Sequence, residues 1–149
     1  MADSFNHFDA IADALKPAVG QVVRKTALDI QARAASKTPV DTGFLRNSIY
    51  TVTTSESTNK GTGERESKAR STRRRIKKAN QPSAFPEIAP PPDDQTAYVV
   101  CGATYGTYVN YGTRHMAPKP FWEPAVEEAR GPFEDAMGLI EEKLREAAG

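Results

Sequence analysis

A single cysteine, Cys101, occurs in this chain of 149 residues. No internal disulfide can form, which excludes a secreted disulfide scaffold. Histidine is almost as scarce: His7 and His115 lie far apart, with no second histidine at metal-ligand spacing, so a metal site is not expected. No stretch approaches the roughly 18 to 20 apolar residues that a membrane-spanning helix needs. The opening Met-Ala-Asp-Ser is polar and acidic, so no secretory signal is expected. Net charge is almost absent too, at +1. That value argues against a nucleic-acid binder only until its distribution is inspected.

The charge is segregated. Residues 60–78 hold nine basic and two acidic residues, a net +7. Residues 121–149 hold eight acidic and three basic residues, a net −5. Like charges gathered in this way repel until something neutralises them, which points to contact surfaces. The basic run, comprising Lys68, Arg70, Arg73, Arg74, Arg75, Lys77 and Lys78, sits inside a polar island at 53–96. Only seven of the island's 44 residues are apolar. Alone it cannot bury enough surface to offset its ordering entropy. It reads as an extended insertion or arm within a single domain 1–149, mobile unless a partner holds it. The folded core is then about 4–52 and 97–147.

Within that core, residues 4–36 carry apolar side chains at helical steps, with Asp3 or Ser4 as a cap and a kink or restart expected near Lys16, before Pro17. Residues 45–53 and 97–103 are rich in β-branched and aromatic types and predict two antiparallel strands. Tyr105, Tyr108 and Val109 suggest a short helix ending at Gly112. A last helix begins near Phe121 or Trp122, with Gly131-Pro132 expected to kink or split it. The expected fold is α+β: two long kinked helices packed on a small antiparallel sheet, with a long insertion between the strands.

Chemical motifs are sparse. Asp41-Thr42-Gly43 is the tripeptide of aspartic proteases, whose chemistry needs two such carboxylates sharing a proton. Here it follows a helix and Pro39, so a turn is favoured: aspartate accepts backbone hydrogen bonds and glycine supplies positive φ. Gly61-Thr62-Gly63 lacks the downstream glycine and lysine of a phosphate loop. Neither a catalytic site nor a cofactor is expected. The basic run could contact phosphates, but no interleaved aromatics offer base stacking. Charge complementarity favours its docking on an acidic face of a neighbouring subunit, with DNA as the alternative.

Two segments carry a family resemblance: Lys37-Thr-Pro-Val-Asp-Thr-Gly-Phe-Leu-Arg-Asn-Ser-Ile49, and Tyr105-Gly-Thr-Tyr-Val-Asn-Tyr-Gly-Thr-Arg-His-Met-Ala-Pro-Lys-Pro-Phe121. Together they resemble the neck and tail-completion family of tailed bacteriophages, the gp-ten-like and minor-tail-protein-Z-like proteins. The sequence departs from that pattern in three places. Asn110 stands where the family usually carries an acidic residue, Phe44 replaces a more usual polar or basic one, and the 53–96 island is longer than the common hairpin connection. The resemblance implies a structural virion protein without catalysis, assembled in the host cytoplasm. It implies a homo-oligomeric ring between head and tail, with connector, tail-terminator and tail-tube proteins as partners and DNA passing through. Pro39, Asp41, Thr42, Gly43, Leu45 and Arg46 then form a structural turn. Tyr105, Tyr108, Tyr111, Gly112, Thr113, Arg114, His115, Pro120, Phe121 and Trp122 become subunit-contact candidates.

Overall fold

The computed structural model describes residues 2–39, 43–59 and 85–148. Helix α1 spans Ala2–Lys37 and passes through Pro17 without interruption, so the expected restart near Lys16 does not occur. Proline removes one backbone donor and costs about 3 kcal/mol inside a helix. Pro17 and Asp13, whose carbonyl loses its donor, are both exposed, so water can take the freed acceptor. Thr38 closes the helix: its hydroxyl and its backbone N–H both donate to the Ala34 carbonyl, at 2.7 and 3.0 Å.

A one-turn helix α2, Phe44–Asn47, occupies the segment where the sequence predicts a strand from Leu45. The burial pattern explains the difference. Leu45 is buried, Arg46 and Asn47 are exposed, and Ser48 and Ile49 are buried again, a helical rather than an alternating rhythm. Ser48 fastens the turn by donating from its hydroxyl to the Leu45 carbonyl at 2.7 Å.

Strands β1, Ile49–Val52, and β2, Tyr98–Cys101, pair antiparallel with Ile49 opposite Cys101 and Val52 opposite Tyr98. Both are shorter than their sequence-predicted spans. All four β1 residues are buried because the strand is covered on both faces. Ile49 and Thr51 face α1, where the Thr51 hydroxyl meets the Ala27 carbonyl at 3.3 Å. Tyr50 and Val52 face outward and pack with Phe85. The second edge of β1 is occupied by the returning chain, through a bridge between Val52 and Ser57.

Both ends of the 53–96 island are therefore held on the core of the same copy, where the sequence predicts an arm mobile unless a partner holds it. Phe85, one of its few apolar residues, is 4 % exposed. The Tyr50 hydroxyl donates to the Pro86 carbonyl. The Thr54 hydroxyl donates to the Asp93 carbonyl at 2.9 Å. At the other end, Arg24 pairs with Glu56 at 2.5 Å. Residues 60–84, with the basic run 68–78, lie outside the described residues.

Helix α3 spans Gly106–Tyr111 and helix α4 spans Trp122–Ala148. Pro132 lies within α4 and is exposed, and it does not split the helix. Small residues meet where α1 and α4 pack: Ala34 and Ala125 share one core cluster, which permits close approach of the two axes, and Ala27 and Ala129 are buried as well. The main core cluster joins Ala34, Leu45, Ile49, Ala103, Phe121 and Ala125. Away from this cluster the helices are thinly covered. No residue is buried between 9 and 26 of α1 or between 130 and 147 of α4, and Ile11, Leu15, Val19, Phe133, Met137 and Ile140 are each only half-buried. The fold is α+β, as expected from the order of elements.

Candidate functional site

The described contact candidates gather where α3 leads into α4. Tyr105, at the N-cap of α3, and Tyr108 and Tyr111 within it recur every three residues and are all exposed. Gly106 and Asn110 form the buried side of that helix. Tyr105 stacks on Phe44 with ring centroids 6.1 Å apart, which anchors the tyrosine row to α2.

Gly112 ends α3 at φ 78, and the chain then makes a tight hairpin. Thr113 and Met116 form its bridge, with Thr113 N–H donating to the Met116 carbonyl at 2.8 Å. The His115 N–H donates to the Thr113 hydroxyl at 3.2 Å. Every residue from 113 to 120 is exposed, so Arg114, His115 and Met116 stand at a projecting tip. Lys119 N–H returns to the Val109 carbonyl at 2.9 Å and holds the tip against α3.

Asn110 is the hub of the site. It is 4 % exposed, and both ends of its amide are used. Its Oδ1 accepts from the backbone N–H groups of Phe121 at 2.9 Å and Trp122 at 3.1 Å. Those donors flank the start of α4, where the first N–H groups have no partner within the helix. Asn110 thus caps α4 from a distant position in the chain. Its Nδ2 donates to Glu123 at 2.8 and 3.0 Å. Glu123 also takes a hydrogen bond from Tyr111. The Tyr111 hydroxyl first, then the Asn110 amide, hold the carboxyl below the usual carboxylate range, and the same bond raises the Tyr111 phenol. An acidic residue at 110 would cap the same N–H groups but face Glu123 as a like charge. Asparagine is therefore the residue that suits this neighbour.

Between tip and helix lies an open cleft of about 670 Å³, lined by Tyr111, Pro118, Pro120, Glu123 and Pro124 among others. Nearby, Glu128 of α4 bridges Lys37 at 2.6 Å and Arg33 at 3.1 Å, and these cations hold its carboxyl below the usual range. This bridge is largely solvent-exposed and contributes modestly.

The structure sorts the sequence-derived residues. Leu45 from the first motif and Phe121 from the second meet in one core cluster. Phe121 is 2 % exposed and belongs to the core of the single copy. Trp122 is half-buried and packs edge-on against it, 6.2 Å between centroids. Trp122→Ala is expected to cost about 1 to 2 kcal/mol, seen as a lowered melting temperature; an unchanged midpoint would contradict this packing role. Gly112 is half-buried, and Tyr105, Tyr108, Tyr111, Thr113, Arg114, His115 and Pro120 are exposed. In the turn motif Pro39 is half-buried, Gly43 has φ 75 and Arg46 is exposed. Asp41 and Thr42 lie outside the described residues. The capping role of Asn110 was not read from the sequence, because its partners lie 11 to 13 positions away. Among the described residues no group of three or more His, Cys, Asp or Glu is placed to hold a metal ion, and no helix is long and apolar enough to cross a membrane.

A family model described as "Bacteriophage HK97-gp10, putative tail-component" matches residues 6–112. The match ends at Gly112, so the hairpin tip and α4 lie beyond it. No curated protein and no solved structure matches the chain. The matched span takes in most of α1, the turn motif, strands β1 and β2 and the tyrosine helix, and the chain belongs to the HK97-gp10-like family of phage tail components.

Proposed function

We propose that this protein is a ring-forming neck or tail-completion component of a tailed phage virion, which joins the head to the tail and lets DNA pass. The observation that carries the reading is the thin cover of the α1–α4 pair. Half the length of each helix holds no buried residue, yet each carries half-buried apolar side chains there. A family of structural tail components supplies the setting in which neighbouring copies cover such faces. The chain then acts as one domain, built on 4–52 and 97–147 with both ends of the 53–96 segment packed against them. Its partners are further copies of itself, connector and tail-terminator proteins, and the tail tube. Catalysis has no part in this reading.

Mass photometry and negative-stain images of the purified protein, alone and with tail tubes, test it. Discrete oligomers or particles seated at tail ends are the expected result. A strictly monomeric protein that associates with no neck or tail partner would defeat the proposal.

A second reading rests on the net +7 of residues 60–78. In a ring traversed by DNA, the basic run could neutralise phosphates rather than dock on a neighbour. A salt titration of duplex binding decides. If Arg73, Arg74 and Arg75 contact DNA, changing all three to alanine lowers affinity and flattens the salt slope by about 3. An unchanged slope eliminates DNA as their partner.

A further inference from the structure

The outer side of α4 carries a pattern that the fold of one copy does not use. Asp135, Leu139, Glu142 and Glu146 follow at steps of four, three and four, which places them on one face. All four are exposed, and Leu139 is 61 % exposed. The opposite face carries the half-buried Phe133, Ala136, Met137 and Ile140. Among the described residues Asp135, Glu142 and Glu146 have no ion-pair partner, whereas Glu141 on the helix flank is paired with Arg145 at 2.8 Å. Gly131 and Gly138 lie one heptad apart beside this face, and a methyl group on either would meet nothing within 4 Å. Each glycine costs about 1 kcal/mol in an exposed helix, and nothing within one copy offsets that. A bare backbone lets a second surface approach closely.

The hairpin tip has the matching character. Arg114 and Lys119 are exposed and have no ion-pair partner among the described residues. Tyr108 and Met116, 61 % and 37 % exposed, supply apolar area beside them. Tip and stripe cannot meet within one copy. The tip is tied to α3, next to the start of α4, while Leu139 lies about 25 Å along the helix at 1.5 Å per residue.

We propose that the tip of one copy seats on the Leu139 stripe of the next, with Tyr108 and Met116 against Leu139 and Arg114 and Lys119 among the three carboxylates. Two different patches meet, so the contact is heterologous, the type that generates a ring when its rotation closes. The proposal deepens the ring reading and rests on it. The basic run 68–78 competes for the same acids, but it offers only Ile76 as a large apolar partner for Leu139.

A charge exchange on the full-length chain tests the contact. Arg114→Glu with Lys119→Glu, and separately Glu142→Lys with Glu146→Lys, should each weaken self-association at least tenfold in mass photometry. The four changes together should recover most of it. Should a variant misfold, Met116→Cys and Leu139→Cys proteins in a Cys101→Ser background provide a second measurement. A short bifunctional thiol reagent should link them strongly in the mixture and weakly in either protein alone. Oligomers indifferent to both charge pairs, or no recovery in the combination, overturn the contact and leave the ring reading standing. Sensitivity to the α4 changes and to alanines at Arg73, Arg74 and Arg75, without sensitivity at the tip, overturns it in favour of the basic run. A wild-type protein that stays monomeric with and without tail partners overturns both.

Discussion

Gly112→Ala is expected to lower stability by about 3 kcal/mol or more. Gly112 sits at φ 78 and ψ 178, a backbone region open essentially to glycine alone, which costs a residue with a Cβ about 1 to 3 kcal/mol. Crowding adds to that strain. A Cβ there would lie 2.8 Å from the Met116 carbonyl oxygen and 2.8 Å from the Pro118 nitrogen. Both are backbone atoms, so neither can swing aside as a flexible side chain would, and forced overpacking costs about 1 to 3 kcal/mol. The hairpin tip would have to move, carrying with it the Lys119 bond to Val109. Melting curves should show a midpoint lower by about ten degrees, since each kcal/mol shifts a domain of this size by several degrees. A variant melting within about two degrees of the parent would refute the strain argument. Gly138→Ala provides the contrast. With open space around that position, it should stabilise the monomer by about 1 kcal/mol.

Asn110→Leu is expected to cost about 2 to 4 kcal/mol. It leaves the Phe121 and Trp122 N–H groups without their acceptor and strips Glu123 of its amide donor. Each orphaned buried group costs about 1 to 3 kcal/mol. Asn110→Asp separates the two roles, because a carboxylate still accepts from both N–H groups but confronts Glu123. In the parent, the Glu123 carboxyl is held below its ordinary range by Tyr111 and Asn110. Its stabilising contribution is therefore present above the unfolded carboxylate pKa and is lost as pH falls through the lowered folded value. In the Asn110→Asp variant the paired carboxylates push one of the two upward. Repulsion is then present at neutral pH and is relieved as pH falls through that raised folded value. Mild acidification from neutral pH should stabilise the variant and leave the parent flat or slightly weakened. Parallel pH profiles in urea melts would show that the two carboxyls do not interact.

The long elements were legible because their information is local. Apolar steps along 4–36 and from Phe121 onward mark α1 and α4, and Gly112 marks the end of α3. The antiparallel pairing of β1 and β2 follows from two apolar segments joined by a polar one. The α2 turn is hidden because Leu45 to Ser48 runs straight into the β-branched and aromatic stretch Ile49–Thr53, while its shape is decided by which residues reach the core. Phe85 looks like a stray aromatic in a polar island, since only the folded hairpin creates the surface it covers. Pro17 and Pro132 predict interruptions that the helices do not show. Both lie on exposed sides, where the carbonyl that loses its donor is open to solvent. The site was half legible: the exposed tyrosines and tip residues fall where the motif suggests. The stripe on α4 was concealed inside an undifferentiated acid count until the helix put Leu139 outside.

Gly43 and Gly112 both take a positive φ, 75 and 78, though ψ differs, −6 against 178. One stands in the middle of the first recognisable motif, and the other in the middle of the second. Both signatures are in this sense instructions for steering the chain: they mark where φ must turn positive so that Leu45 and Phe121 arrive in the same place. Kinship read from such signatures is kinship of route. The choice of neighbour is written elsewhere, on surfaces that the route leaves blank, and these can be rewritten without bending the path.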